Sequence, residues 1–169
     1  TASTTATLAM GDALAVALLD AKGFSADDFA LSHPGGSLGR RLLLRLEDIM
    51  HTGEQVPTVA MHATIKDALL EISRKGLGMT AVVDDSGRMA GIFTDGDLRR
   101  ILDQRFDIHT NHIAEVMTRN CITADAKMLA AEALQVMQTK KINGLIVLDQ
   151  DSMPVGAMNM HDLLRAGVM

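Results

Sequence analysis

The last two thirds of the chain contain the same pattern twice, and this internal repeat constrains the fold more than any other feature. The matched positions are 65 residues apart, as Asp67 is from Glu132. The matches are Asp67-Ala68-Leu69 with Glu132-Ala133-Leu134, Val82-Val83-Asp84 with Val147-Leu148-Asp149, Gly91 with Gly156, Asp97-Leu98 with Asp162-Leu163, and Arg100 with Arg165. Two copies, rather than many, predict a pseudo-twofold pair and not a solenoid. Such a pair forms a cleft along its own axis, where a ligand can bind.

Composition limits the classes of function that the chain can have. Its 169 residues are 47% hydrophobic, enough for a buried core in one or two domains. A net charge of −5 and the lack of Trp and Tyr argue against a nucleic-acid partner. The single Cys121 cannot form an internal disulfide, which predicts a cytoplasmic location. No apolar run approaches the roughly 20 residues that span a membrane, so no membrane partner is expected.

Each repeat predicts the order helix, strand, strand, helix, preceded by a short extended piece. Apolar residues at i, i+3, i+4 and i+7 predict helices that begin near Ile65 and Ala130, with Thr64 and Asp125 as caps. The remaining expectations are hairpin strands at 80–83, 89–94, 145–148 and 154–159, extended pieces at 58–59 and 121–123, and closing helices from Gly96 and Met160. Each unit is too small to bury its own sheet, so the two are expected to pack together.

The residues that open and close each copy resemble those of a CBS (cystathionine-β-synthase) domain, and the pair resembles a Bateman module. The opening residues are Asp48-Ile49-Met50 and Glu115-Val116-Met117. The closing signatures are Gly91-Ile92-Phe93-Thr94-Asp95-Gly96-Asp97-Leu98 and Gly156-Ala157-Met158-Asn159-Met160-His161-Asp162-Leu163. The resemblance implies a mixed α/β fold of tandem CBS domains with pseudo-twofold symmetry, at residues 46–106 and 113–169.

Residues 1–45 do not repeat and carry a second motif. A helix is expected from about Ala6 to Lys22, with Gly23 as its stop. The segment His33-Pro34-Gly35-Gly36-Ser37-Leu38-Gly39-Arg40-Arg41 follows. Its glycine spacing fits neither a dinucleotide fingerprint nor a P-loop.

This helix, the His-Pro-Gly-Gly segment and two CBS domains together resemble the C-terminal part of the arabinose-5-phosphate isomerase family. In that family a sugar-isomerase (SIS) domain precedes the CBS pair. The resemblance implies that residues 1–45 are the helical remnant of a SIS domain and a linker. It also implies an intact enzyme that interconverts D-ribulose 5-phosphate and D-arabinose 5-phosphate for Kdo and lipopolysaccharide synthesis. The fragment alone is expected to be inactive, because most of the SIS domain lies upstream in the family.

The same resemblance makes His33 the candidate catalytic residue. Aldose–ketose isomerisation moves a proton through an enediol, and the reference pKa of His, about 6.5, suits such a transfer. Without the resemblance, His33 reads as a loop residue packed beside Pro34. No cofactor is expected, and the substrate of the intact enzyme is a sugar phosphate.

In the CBS pair, Thr94 and Asp97 are the leading candidates for binding an effector. The resemblance implies that Thr94 contacts a phosphate and that Asp97 accepts hydrogen bonds from ribose hydroxyls. The structural alternative is that Thr94 ends a strand and Asp97 caps the next helix. The second copy has Asn159 and Asp162 at these positions. Asn159 lacks the small hydroxyl, so this half of the cleft is expected to be weaker or empty.

Three functions remain open for the pair. It regulates the isomerase by binding a nucleotide or nucleotide sugar, it serves only as a dimerisation scaffold, or it is a stand-alone nucleotide sensor. A homo-oligomer is expected because the helix in residues 6–22 has lost its packing partner. No metal site is expected: His109 and His112 read as parts of a loop, and Cys121 as a small buried residue on a strand.

Overall fold

The computed structural model describes residues 1–24, 28, 43–102 and 106–168. The chain divides into two compact units, Thr1–Leu43 and Leu44–Met169. The predicted catalytic residue His33 lies outside the described residues, and its role stays a prediction.

The first unit contains helix α1 (Ala2–Lys22), which begins four residues before the predicted start. Gly23 ends it in the left-handed conformation, with φ at 60°. The amide of Gly23 donates to the Asp20 carbonyl at 3.1 Å, and the amide of Phe24 donates to the Leu19 carbonyl at 2.9 Å. These bonds satisfy carbonyls that the helix end leaves free, which confirms Gly23 as the stop.

No residue of α1 is buried, although the helix is rich in Ala and Leu. Among the described residues, α1 is long and apolar enough to cross a membrane by length and composition. The expectation that no segment of the chain reaches this limit is therefore wrong. Core helices of soluble proteins and signal sequences meet the same criteria, so no membrane location follows from it.

The described part of the second unit contains a series of short helices and strands. The helices are α2 (Ile65–Lys75), α3 (Asp95–Ile101), α4 (Ala130–Lys140) and α5 (Met160–Arg165). The strands are β1 (His51–Thr52), β2 (Thr58–Ala60), β3 (Met79–Val83), β4 (Met89–Thr94), β5 (Thr123–Asp125), β6 (Gly144–Leu148) and β7 (Pro154–Asn159). The order of elements is the one that the repeat predicts.

The two repeats form two sheets with the same internal arrangement. The strand orders are β2-β3-β4 in one sheet and β1-β7-β6-β5 in the other. In each repeat the first strand runs parallel to the second, and the second and third form an antiparallel hairpin. The register is also repeated, because Thr58 pairs with Ala81 and Thr123 pairs with Ile146. The predicted tandem fold is confirmed at the level of individual strand pairs.

The segments that open the repeats are exchanged between them. In β1, His51 pairs with Ala157 of β7, the closing strand of the second repeat. In the other direction, Thr118 exchanges two backbone hydrogen bonds of 2.9 and 2.8 Å with Ile92 of β4. Each repeat is therefore held to the other by its own opening segment.

The core between the repeats is formed by equivalent positions of unequal size. Ala81 is equivalent to Ile146, and Ile92 to Ala157, and all four belong to one buried cluster. Met79 reaches the equivalent Gly144, where an added Cβ would lie 2.7 Å from the Met79 sulfur. The large residue of each pair is thus matched by a small one in the other repeat, and at Met79 and Gly144 this allows the two repeats to pack closely.

The helix caps show one correct and one wrong prediction. Thr64 caps α2 as expected, since its hydroxyl accepts from the amide of Asp67 at 3.1 Å. Asp125 does not cap α4; the capping position is Leu129, which makes no side-chain cap bond. Asp125 instead ends β5, and its carboxylate accepts from the amide of Lys127 at 2.7 Å.

Strand β5 lies two residues later than predicted, at Thr123–Asp125 and not at 121–123. A spacing of 65 residues from Thr58 gives the observed position. Cys121 therefore precedes the strand, where it is partly exposed, and partial burial raises the pKa of its thiol. His109 and His112 are exposed in the connection between the repeats, as predicted.

Candidate functional site

The carboxylate of Asp97 lies in a network that closes the first repeat. Its Oδ2 accepts from the Thr94 amide at 2.8 Å and from the Thr94 hydroxyl at 2.7 Å. The amide of Asp97 donates back to the Thr94 hydroxyl at 3.3 Å, which completes a capping box at the start of α3. Asp97 is only 4% exposed, so these partners offset the loss of hydration of its charge.

Asp162 is bound in the same way in the second repeat. Its Oδ2 accepts from the Asn159 amide at 2.9 Å, and the Asn159 side chain accepts from the amides of His161 and Asp162. Asp162 is also buried, at 7% exposure. The backbone arrangement around the two carboxylates is therefore shared, although the capping side chain is a hydroxyl in one and an amide in the other.

The second oxygen of each carboxylate is bound by the opening segment of the other repeat. The Thr118 hydroxyl donates to Asp97 Oδ1 at 2.9 Å, and His51 Nε2 lies 3.1 Å from Asp162 Oδ1. Thr118 follows Met117 as His51 follows Met50, so the two contacts are equivalent. Each carboxylate therefore links its own repeat to the opening segment of the other repeat.

Charge is balanced differently at the two carboxylates. Arg100, on α3, forms an ion pair with Asp97. The equivalent residue is Arg165, but within the described residues Asp162 has no ion pair with an arginine, and its partner there is the His51 ring at 3.1 Å. Thr94 ends β4, and Thr94 and Asp97 together cap α3. Their contacts in this structure are therefore those of the structural alternative.

A cavity of about 340 Å³ opens beside Thr94, and we call it half-site A. The first repeat supplies Leu77, Gly78, Met79, Ile92, Thr94, Asp95, Gly96 and Arg99, and the second supplies Ile122, Lys141, Ile142, Asn143 and Gly144. The lining therefore combines aliphatic side chains with a hydroxyl, two cations and a carboxylate. Asp97 does not line it, because its carboxylate faces the cap and the opening segment.

A second cavity of about 440 Å³, half-site B, is the pseudo-symmetric counterpart. It is lined by Gly76, Leu77, Gly78, Asn143, Asn159, Met160 and His161. Leu77, Gly78 and Asn143 line both cavities, so the two half-sites adjoin. Asn159, as predicted from sequence, takes the place that Thr94 has in half-site A, and Asp162 again lies behind it.

The half-sites differ most in charge. Lys141 of half-site A is equivalent to Gly76, Arg99 to Leu164, and Asp95 to Met160. Half-site A therefore contains two permanent cations, and half-site B has none at the same positions. Sequence reasoning did not select Lys141 or Arg99, although the spacing of 65 residues already aligns them with Gly76 and Leu164.

The backbone at Lys141 is unusual. Lys141 has φ 54° and ψ 45°, the left-handed region, at the C-terminal end of α4. Its equivalent Gly76 ends α2 in the same conformation, with φ 71°. Glycine is the usual residue there, because it has no Cβ to approach the neighbouring carbonyl.

No cluster of three or more His, Cys, Asp or Glu side chains that could hold a metal ion was found in the part of the chain that the structure describes. The acidic residues at the half-sites are used in caps or stand alone.

A family model for the CBS domain matches residues 46–104 and 113–168. The chain therefore belongs to the CBS domain family and carries two copies of the domain.

The chain is also similar over its whole length to curated proteins of one enzyme family. The chain is 60% identical over all 169 residues to arabinose 5-phosphate isomerase KdsD of Pseudomonas aeruginosa, and it covers 52% of that protein. It is 58% identical over the same length to the KdsD of Escherichia coli, of which it covers 51%. The chain spans about half the length of these relatives. The resemblance to this isomerase family is confirmed.

Solved structures with a similar fold are also CBS pairs. The CBS domain pair of protein MJ0100, in complex with 5-methylthioadenosine and S-adenosyl-L-methionine, has a TM-score of 0.64 and 26% identity, over 73% of this chain and 94% of that one. CBSX2 in complex with AMP has a TM-score of 0.62 at 19% identity, over 74% and 96% of the two chains. The second likeness supports the fold alone.

Proposed function

We propose that this chain is the regulatory CBS region of an enzyme that interconverts D-ribulose 5-phosphate and D-arabinose 5-phosphate, and that its cleft binds a nucleotide-type effector. The identity of 58–60% over the whole chain to arabinose 5-phosphate isomerases supports the first part. The reaction itself belongs to the intact enzyme, in Kdo and lipopolysaccharide synthesis, with a sugar phosphate as substrate and the cytoplasm as its location.

Half-site A is the observation that carries the effector proposal. Its aliphatic side chains suit the face of a base, and Arg99 and Lys141 offer two cations for an anionic group. The CBS pair of protein MJ0100, at 26% identity, was solved with two adenosine derivatives. A nucleotide or nucleotide sugar is the ligand class that matches both the aliphatic and the cationic residues.

Thr94 and Asp97 have separate roles in this proposal. Thr94 lines half-site A, but its hydroxyl donates to Asp97, so a bond from this hydroxyl to a phosphate would require it to leave that carboxylate. Both oxygens of Asp97 are already bound, so Asp97 positions Thr94, and an added bond to a ribose hydroxyl would require its carboxylate to turn. Asn159 and Asp162 form the equivalent pair at half-site B, where we propose weaker binding.

The remaining parts of the proposal concern the intact enzyme. Residues 1–45 form the end of the SIS domain and a linker, residues 46–106 and 113–169 form the two CBS domains, and His33 takes part in proton transfer. The alternative, a CBS pair that serves only as a dimerisation scaffold, draws support from α1. Its large apolar residues Leu8, Met10, Leu14 and Val16 are each more than half exposed, which favours association with another chain.

Calorimetric titration of the 169-residue chain tests effector binding. The panel contains AMP, CMP, UMP, their nucleosides, S-adenosylmethionine and a cytidine-activated sugar acid. The proposal predicts saturable heat with at least one charged member of the panel. No binding at millimolar concentration, together with a stable dimer in sedimentation, would favour the scaffold.

A further inference from the structure

We propose that Lys141 and Arg99 form a cationic clamp that selects the anionic group of the effector, and that this clamp confines charged effectors to half-site A. The inference rests on the proposed effector function, because it defines which effectors the cavity accepts. It adds two residues that neither the closing signatures nor their capping networks contain.

The two cations come from different repeats. Arg99 lies on α3 of the first repeat, and Lys141 follows α4 of the second. Both line half-site A and both are exposed. Neither forms an ion pair with a carboxylate of the described residues, unlike the neighbouring Arg100, which binds Asp97. The Asp95 carboxylate lines the same cavity but forms no ion pair with either cation, so both charges are free to meet an anion that enters.

The backbone conformation of Lys141 independently points to a function of its side chain. A side chain in the left-handed region is disfavoured because its Cβ approaches the next carbonyl oxygen. The first repeat avoids this with Gly76, whereas the second places a lysine there. A strained backbone at the edge of a cavity indicates that the side chain has a function there.

Stabilisation of the helix end does not explain the lysine. A cation near the C-terminus of a helix interacts favourably with the helix dipole. Lys140, the last residue of α4, already supplies that charge in helical backbone geometry. Lys141 adds a second charge at an unfavourable backbone position, and what distinguishes it from Lys140 is that it lines the cavity.

Half-site B lacks both parts of the clamp. Gly76 and Leu164 occupy the equivalent positions, and the lining of this cavity offers Asn143, Asn159 and His161 as polar groups. An uncharged nucleoside can satisfy such groups as well as those of half-site A. A phosphate or carboxylate gains less there, because no permanent cation of half-site B replaces the water that the anion loses. The charge of the ligand therefore decides between the two adjoining cavities.

Matched pairs of probes test the clamp. The affinities of AMP and adenosine, and of CMP and cytidine, are measured by calorimetry for the wild type, Lys141→Gly, Arg99→Leu and the control Lys140→Ala. Lys141→Gly reproduces the residue of the first repeat, and Arg99→Leu reproduces the residue of half-site B. We expect each to weaken binding of the nucleotide about ten- to a hundredfold, the size of a lost hydrogen bond to a charged group. Binding of the nucleoside should change less than threefold, and Lys140→Ala should change neither.

Thermal unfolding without ligand separates this effect from damage to the fold. Glycine adopts φ 54° freely, so Lys141→Gly should unfold at the wild-type temperature or above it. A wild type that binds nucleotides, with variants that lose nucleotide and nucleoside affinity equally or lose neither, would overturn the clamp and leave effector binding intact. A wild type that binds no charged member of the full panel named above would contradict the proposed function, and the clamp with it.

Discussion

Half-sites A and B have the same backbone and different chemistry. Both lie between a closing helix of one repeat and a helix end of the other, and both have a buried carboxylate behind the capping residue. Only half-site A carries Arg99 and Lys141, because half-site B has Leu164 and Gly76 at these positions. The comparison teaches that the repeats share the backbone arrangement of both cavities, and that the side chains lining the cavities set the difference in charge.

The largest expected effect concerns the two buried carboxylates. Asp97→Ala should lower the free energy of unfolding by about 2–4 kcal/mol, because it leaves Arg100 and Thr118 without their partner. Asp162→Ala should cost less, about 1–2 kcal/mol, because His51 is the one side chain outside the cap that it abandons. Urea unfolding of both variants measures the difference, and equal losses would show that Arg100 contributes little.

The glycines under the opening segments should also differ between repeats. A Cβ at Gly91 would lie 2.8 Å from the Thr118 carbonyl oxygen, which belongs to the backbone and cannot move alone. At Gly156 the crowded neighbour is the Met50 side chain, which can rotate. We expect Gly91→Ala to destabilise by about 1–3 kcal/mol and Gly156→Ala by less than about 1.5 kcal/mol. Denaturant midpoints compare the two, and a larger loss at Gly156 would contradict this ranking.

Installing a cation in half-site B should reduce the difference between the half-sites. A Cβ at Gly76 meets nothing within 4 Å, so Gly76→Lys has room for its side chain, but at φ 71° the lysine carries the same backbone strain as Lys141. The variant should bind AMP or CMP at half-site B about five- to tenfold more tightly than the wild type does, at the level of one added charge contact. Calorimetric stoichiometry should rise from one nucleotide per chain towards two. A stoichiometry that stays at one would mean that Asn159 or Met160, rather than charge, excludes the ligand.

The smallest effect tests the helix caps of the two repeats. Thr64→Ala should destabilise the protein by about 1 kcal/mol, because α2 loses its side-chain cap bond. Helix α4 has no such bond in the wild type. Hydrogen bonds from Thr64 lower the pKa of Asp67 below its ordinary 3.8. A lowered folded-state pKa contributes stability above the unfolded pKa, and this contribution is lost as pH falls through the folded pKa. The gap between wild type and variant should therefore narrow below about pH 4 in chemical unfolding. If the stability difference between wild type and Thr64→Ala stayed constant as the pH falls, the cap would not depend on the ionisation of Asp67.

Much of the fold could be predicted because the repeat places each element twice. The strands at 89–94 and 154–159 were predicted at their observed bounds, and Thr64 was identified as a cap from the residue type alone. The prediction that Asp125 caps α4 is wrong, because a spacing of 65 residues from Thr64 gives Leu129 as the capping position. Leu129 satisfies the capping position with its backbone geometry, which no propensity of leucine indicates.

The candidate site was harder to predict, because it depends on contacts between repeats. Sequence identified Thr94, Asp97, Asn159 and Asp162, but not that Thr118 and His51 would cross over to bind the two carboxylates. These bonds exist because the opening segments are exchanged, which is a property of the assembled pair. Lys141 is not predicted for a related reason: its left-handed backbone and its position in a cavity between the two repeats are not encoded locally.

Backbone amide chemical shifts during titration with CMP or AMP test most directly the central claim, that half-site A is the effector site. The account predicts that the amides of Gly96, Arg99 and Lys141 shift with one common dissociation constant, while those of Met160 and His161 stay in place until much higher concentration. Shifts at Met160 and His161 that saturate first, with Gly96 and Lys141 unchanged, would contradict it.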